Sequence, residues 1–123
     1  MKIFHLNDPI YHSRIVLIHD TTYEEIVSFT KKKYAAETSG LGVIKGFDGC
    51  CYAIKAPSGE IIYFIVFFRK LNFKRDSDLI VHEILHLALK ILRRINLSLT
   101  EESEEAYCYF FQYLYIEVVR MLG

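Results

Sequence analysis

The sequence predicts one α+β domain over residues 1–123, with a small mixed sheet, one early helix and two C-terminal helices. Short apolar segments bounded by turn residues fill the first half of the chain, a pattern typical of β-strands. Longer segments with apolar residues three and four positions apart fill the second half, as in amphipathic helices. A chain of 123 residues, 52% of them hydrophobic, suits a single domain with an ordinary core.

The first predicted elements are two strands and a helix. Residues 2–6 and 14–19 have strand character, and Asn7-Asp8-Pro9 separates them with residues that favour turns. The helix begins at residues 21–25, where threonine supplies a cap and two glutamates occupy the first turn. We expect this helix to end near Ala36 and a loop to open at residues 39–42.

A β-hairpin is expected next. Its strands lie near residues 50–56 and 60–69, joined by Pro57-Ser58-Gly59, a sequence that favours a tight turn. Residues 61–68 are apolar at every position, which predicts a strand covered on both faces. If an edge of this strand is open, an extended peptide can pair with it there.

Two helices complete the predicted fold. We expect the first from about Ser77 to Arg94, with capping oxygens at residues 76–78. The second opens at residues 100–103, where Thr and Ser accompany acidic residues, and continues nearly to Met121. The short turn between them places the two helices side by side and nearly antiparallel, packed beside the mixed sheet.

The last helix is apolar nearly all round. Helical periodicity predicts two rows of apolar side chains on it, a main apolar face and a neighbouring ridge. The main face is expected at Cys108, Phe111, Tyr115 and Leu122, and the ridge at Tyr107, Phe110 and Leu114. Core packing is the ordinary role of such a helix. In a small domain it also suits the interface of a homodimer.

Composition and charge exclude several classes of function. The 15 Lys and Arg residues balance the 15 Asp and Glu residues, so no net charge indicates a nucleic-acid or membrane partner. The longest apolar run, residues 61–68, is too short to cross a membrane. Three cysteines, two of them adjacent, make no disulfide framework, and residues 1–5 lack a signal-peptide pattern. We therefore expect an intracellular, cytoplasmic protein.

The strongest functional signal is His82-Glu83-Ile84-Leu85-His86, an H-E-x-x-H sequence within the first C-terminal helix. Two histidines four positions apart lie on one helical face, so both imidazoles can bind one metal ion. A single histidine on such a helix is more often structural, but this pair with the intervening glutamate favours a metal site. The ion is expected to be zinc, with Glu83 accepting a proton from a water that zinc activates.

A zinc site of this kind needs a third protein ligand. The extended H-E-x-x-H-x-x-G-x-x-H class is excluded, because Leu89 and Leu92 stand where it requires glycine and histidine. The remaining choice is one of the acids at the start of the last helix: Glu101, Glu102, Glu104 and Glu105. The helix dipole alone favours acids there, and periodicity does not separate Glu104 from Glu105.

Residues 78–116 resemble the core of the gluzincin-type zinc metallopeptidases, in particular small zincin-like proteins encoded by phages and bacteria. In that group the H-E-x-x-H helix is followed by a short linker and by a helix that opens Glu-Glu-Ala-Tyr, as residues 104–107 do here. The resemblance covers about a third of the chain. It implies a minimal zincin-like fold and zinc as the cofactor.

The same resemblance bears on the third ligand. Gluzincins commonly carry it in a Glu-x-x-Ala-like pattern, which Glu105 fits with Cys108 in the small position, so Glu105 is favoured and Glu104 is the reserve. The chain departs from the larger peptidases at Tyr109, where they carry an aspartate, and it lacks a second lobe that would form a deep cleft.

The function that the resemblance implies is metallopeptidase activity on a peptide or protein substrate, with His82, His86 and Glu105 as zinc ligands and Glu83 as the general base. Tyr107 and Tyr109 are near enough in sequence to stabilise an oxyanion, but nothing assigns either. The alternative is a non-catalytic zincin-like zinc-binding module whose aromatic helix binds a partner. Glu83 favours the enzyme, and the small size favours the module.

Overall fold

The computed structural model describes all 123 residues, and they form two compact units, Met1–Leu71 and Asn72–Gly123. The first unit contains four strands and one helix, and the second contains two long helices. This is an α+β fold with a mixed sheet, one early helix and two C-terminal helices. The predicted fold class is therefore confirmed.

The first unit is built around a four-stranded sheet in the order β1-β2-β4-β3. Its elements are β1 (Lys2–Asn7), β2 (Arg14–His19), α1 (Tyr23–Tyr34), β3 (Gly49–Lys55) and β4 (Ile61–Phe67). β2 and β4 are parallel, and the two outer pairs are antiparallel. Residues 62–67 are all buried, as predicted for this strand. Because β4 is paired on both sides, neither of its edges is open, and the condition for a peptide to pair with it is not met.

Local hydrogen bonds explain the turns of this unit. The buried Asp8 carboxylate accepts bonds from the backbone N–H groups of Ile10, Tyr11 and Ser13, at 2.8, 3.0 and 3.1 Å, and so closes the turn from β1 to β2. Thr22 and Glu25 form a capping box at the start of α1. Gly59, at a φ of +91°, provides the left-handed residue in the predicted hairpin turn.

One segment of the first unit differs from the prediction. Ser39–Ile44 is a 3₁₀ turn where a loop was expected. The Glu37 carboxylate accepts bonds from the N–H groups of Thr38 and Ser39, which fixes the chain at the start of the turn. Leu41 and Ile44, three residues apart, are both buried, so the 3₁₀ geometry places two apolar side chains on one side.

In the second unit, α2 (Phe73–Arg94) starts four residues before the predicted Ser77. The Asn72 side chain caps this helix by accepting a bond from Arg75 N at 3.1 Å. Asp76 is not a cap but lies in the first turn, where its carboxylate accepts a bond from Asn72 N at 2.9 Å. The Arg75 guanidinium pairs with the same buried carboxylate at 2.8 Å. These bonds extend the helix by about one turn at its N-terminus.

The last helix, α3 (Glu104–Leu122), starts later than predicted. Residues 100–103 form a turn in which Thr100 N donates to Ser103 Oγ at 2.8 Å and Ser103 N donates to Thr100 Oγ1 at 3.3 Å. Because these side chains satisfy the backbone of the turn, the helix begins only after it. Glu101 and Glu102 therefore lie outside α3.

The buried side of α3 also differs from the expected one. The buried residues are Tyr107, Phe110, Leu114 and Val118, which follow the neighbouring ridge of the prediction. Cys108 is exposed, and the rest of the expected main face is only partly buried, so that expectation is wrong. The Tyr107 hydroxyl donates a hydrogen bond to the Leu97 carbonyl oxygen, which fixes the rotation of the helix.

None of the three α-helices combines the length and the apolarity that crossing a lipid bilayer requires.

Candidate metal centre

The middle of α2 brings the three predicted residues of the H-E-x-x-H motif together. The candidate ligand atoms of His82, Glu83 and His86 lie within 4.8 Å of one another. The two imidazole rings have centroids 4.8 Å apart and meet edge to face, at 72°. This proximity follows from the helix, because residues four apart are separated by about one turn on the same face.

Burial divides these three residues into two kinds. His82 and His86 are exposed, whereas Glu83 is only 4% exposed. Successive residues of an α-helix are rotated by about 100° around its axis. Glu83 therefore lies at the edge of the buried face that Ile80, Ile84 and Leu87 form. The histidines are therefore accessible to an ion and a substrate, and the carboxylate is held in place by its surroundings.

The environment of Glu83 changes its acid–base chemistry. Burial raises the pKa of its carboxyl group, while the nearby His82 and His86 oppose this rise by favouring the charged form. A carboxylate with a raised pKa is a stronger base than a free glutamate.

The donor set fits zinc. Zinc binds imidazole nitrogen and carboxylate oxygen at about 2.0–2.2 Å, so two donors on one ion are at most roughly 4.4 Å apart. The separation of up to 4.8 Å is slightly wider than this limit. Because both histidines are exposed, small rotations of their side chains are enough to close the difference. The two imidazole nitrogens are donors of the type that zinc prefers, and a further protein donor is needed to complete the set.

The structure does not bring a glutamate of α3 into this cluster. The group contains His82, Glu83 and His86 alone, although both Glu104 and Glu105 are exposed in the first turn of α3. The two glutamates differ in direction. Glu104 lines a groove between α2 and α3 and Glu105 does not, which gives Glu104 the better approach to α2. This orientation favours the reserve ligand over the one that the family resemblance favours.

Tyr107 and Tyr109, the two tyrosines considered for stabilising an oxyanion, differ in burial and in hydrogen bonding. Tyr107 is buried and its hydroxyl proton is used in the bond to the Leu97 carbonyl, so it is not free to stabilise an oxyanion. Tyr109 is 66% exposed, but it lies on α3 away from the groove. Neither tyrosine is placed as an electrophilic helper.

The groove itself is a feature that the sequence reasoning missed. It has a volume of about 470 Å³, and its α2 wall includes Val81, Leu85 and Leu89. The sequence did contain an indication of this groove: the apolar stripe of α2 is wide, because it includes Leu85 as well as Ile84. The structure buries Ile84 completely and leaves Leu85 49% exposed. The apolar stripe of α2 is therefore wider than its buried face, and the remaining apolar residues form a second, exposed surface.

Comparison with known proteins found no match: no protein-family model, no curated protein and no solved structure is significantly similar to this chain.

Proposed function

We propose that this protein is a zinc-dependent metallopeptidase in which His82 and His86 bind the ion and Glu83 is the general base. The observation that carries the proposal is the nearly buried Glu83, 4% exposed and with a raised pKa, beside two exposed histidines one helical turn apart. A site that only stabilised the fold would have no need of a buried carboxylate beside the two histidines.

The roles of the residues follow from their positions. Bound zinc would polarise the carbonyl of the scissile amide and lower the pKa of the attacking water. Glu83 takes the proton of this water on a carboxylate oxygen as the water oxygen bonds to the carbonyl carbon. It then gives the proton to the amide nitrogen as the carbon–nitrogen bond breaks, which leaves an amine and a carboxylic acid that loses its proton to solvent. His82 and His86 hold the ion on the exposed side of α2.

A glutamate of α3 is the proposed third ligand. The position of Glu104 on the groove between α2 and α3 supports Glu104, and the family resemblance supports Glu105. Because both side chains are exposed, either can change its conformation at little cost when an ion binds.

The alternative function is a non-catalytic zinc-binding module, and one observation favours it. The cluster offers three donors only if Glu83 is counted, and in this alternative Glu83 is the third ligand rather than a base. In that case the exposed apolar side chains of α3, among them Tyr109 and Ile116, support binding of a partner or a second copy of the chain.

One variant separates the two functions. We expect the purified protein to bind one zinc ion per chain, measured by elemental analysis, and His82→Ala to abolish binding. Glu83→Gln should keep the zinc and lower cleavage of an unfolded protein substrate by roughly 10²–10⁴-fold, the usual contribution of a general base. Loss of zinc in Glu83→Gln would instead identify Glu83 as a ligand and contradict the peptidase.

A further inference from the structure

The groove between α2 and α3 exposes large apolar side chains that the packing of α2 does not use. Val81 is 37% exposed, Leu85 is 49% exposed, and Leu99, at the end of the groove, is 58% exposed. The packed side of α2 is formed by other residues, such as Ile84 and Leu87, which are fully buried. Exposed apolar surface that is concentrated in a concave site is typical of ligand binding.

The groove and the histidine pair share the same turns of α2, although neither histidine lines the groove. Val81 precedes His82 and Leu85 precedes His86, so the same two turns of α2 carry the groove wall and the proposed metal ligands. A helix turns by about 100° per residue, so the groove wall and the histidine pair lie at the same height on α2 but on different sides of it, about a quarter of a turn apart. A peptide bound near the histidines can therefore reach the groove.

The dimensions of the groove fit an extended peptide. Its α2 wall runs from Val81 to Leu89, about 12 Å along the helix at 1.5 Å per residue. An extended chain advances by roughly 3.3 Å per residue, so this length matches three to four residues. Alternate side chains of such a segment point to the same side, and two of them would enter the groove.

The chemistry of the wall selects apolar side chains. Glu104 is the single charged residue that lines it, and the Tyr107 hydroxyl is already bonded to the Leu97 carbonyl. A charged side chain that entered would lose its hydration without gaining matching partners along the aliphatic wall. If Glu104 binds the zinc ion, the positive ion neutralises the charge of this carboxylate, and the groove then carries no unpaired charge.

We propose that the groove between α2 and α3 is the specificity site of the peptidase, and that it binds two large apolar side chains of an extended peptide substrate next to the scissile bond. This inference rests on the proposed function. It defines the substrate class as exposed apolar segments of peptides or unfolded proteins.

The test measures binding without cleavage. The Glu83→Gln protein, loaded with zinc, is titrated against a fluorescein-labelled Gly-Ser peptide with two leucines in alternate positions, and against the same peptide with two alanines. Fluorescence anisotropy should give at least tenfold tighter binding of the leucine peptide. Leu85→Asp, introduced into the same protein, should remove this preference.

Val43→Asp is the matched control, because Val43 is an apolar side chain that is 77% exposed and lies outside the groove. It should leave the leucine preference unchanged, and circular dichroism should show that both variants are folded. Equal binding of the two peptides, or equal effects of Leu85→Asp and Val43→Asp, would overturn the groove assignment.

The outcome for the groove is distinct from the outcome for the peptidase. If the wild-type protein cleaves leucine and alanine peptides equally well, the groove assignment fails and the peptidase stands. If the wild-type protein cleaves neither peptide but binds the leucine peptide through Leu85, the peptidase fails and with it the role of the groove as a specificity site, and only the binding of apolar peptide side chains by the groove stands.

Discussion

Glu104 and Glu105 are neighbours in sequence, yet they occupy different sides of α3. Their side chains are separated by about 100° around the helix axis, and only Glu104 lines the groove that α3 shares with α2. Sequence spacing could not distinguish them, because it does not fix the rotation of a helix. The rotation depends on contacts such as the bond from Tyr107 to the Leu97 carbonyl.

We therefore expect Glu104→Gln to weaken zinc binding more than Glu105→Gln. Loss of a direct ligand should lower the affinity at least as much as loss of an outer partner, which typically costs 10–100-fold. Competition with a chromophoric chelator measures both affinities. The two substitutions remove the same charge from the same helical turn, so each serves as the control for the other. A larger loss in Glu105→Gln would restore the ligand that the family resemblance favours.

His19 contributes to the pH dependence of the first unit, as does His5, whose pKa is also lowered by burial and by the nearby Lys33 and Arg14. His19 is 8% exposed, stacks on Phe4 with ring centroids 6.0 Å apart, and has no hydrogen-bond partner at Nδ1. Burial lowers its pKa below the ordinary value of 6.5, and nearby positive charge adds to this, while Asp20 opposes it. The unfolded chain therefore binds the proton more tightly than the folded chain does.

We expect the free energy of unfolding to fall as pH drops below about 6.5, the ordinary pKa of histidine, and through the lowered pKa of His19. His19→Phe retains an aromatic ring beside Phe4 and should reduce this pH dependence. Urea titrations at several pH values between about 5 and 8 give the measurement. An unchanged slope in His19→Phe would contradict the assignment.

Among the elements, helix boundaries were predicted less well than helix positions. The H-E-x-x-H helix was found from its apolar period, but its start at Phe73 depends on a cap at Asn72 and on the pairing of Asp76 with Arg75. Asp76 and Ser77 looked like caps because the same side chains serve as caps and as first-turn acids. Only the three-dimensional bonds decide between these roles.

For the strands, the local features were predicted correctly, whereas the pairing of strands distant in sequence was not predicted. The apolar run in β4 and the Pro57-Ser58-Gly59 turn defined the hairpin with β3, and the structure confirms both. The sequence left open whether β4 has a free edge; in the structure it has none, because its second neighbour is β2, more than 40 residues earlier in the chain. Local patterns predict a covered strand, but they do not identify its partner.

The rotation of α3 gives a prediction at the scale of this element. Tyr107→Phe removes the hydroxyl that donates to the Leu97 carbonyl and keeps the ring in its buried position. The loss of this bond should lower the free energy of unfolding by about 1–2 kcal/mol. Tyr109→Phe is the matched control, since Tyr109 is 66% exposed, and it should change stability by less than about 0.5 kcal/mol. Chemical denaturation of both variants provides the comparison.

On the scale of the molecule, the candidate site lies entirely in the second of two compact units. His82, Glu83 and His86 belong to α2, and both candidate third ligands belong to α3. The fully buried side chains Ile80, Ile84 and Leu87 pack without help from the exposed histidines. The apolar packing of α2 is therefore complete without zinc, unlike that of small domains that fold only around a metal.

This arrangement predicts a metal-free protein that remains folded and a zinc-bound protein that is more stable. Binding to the folded state alone stabilises a protein by about 2.7 kcal/mol when free zinc is 100 times its dissociation constant. A ligand on each helix would let the ion link α2 to α3, and an unfolded chain has no such preformed site. Thermal unfolding should therefore shift upward with added zinc and return to the metal-free midpoint with EDTA. His82→Ala should unfold at the metal-free midpoint under both conditions, and a midpoint that zinc does not change in the wild-type protein would refute zinc binding to the folded chain.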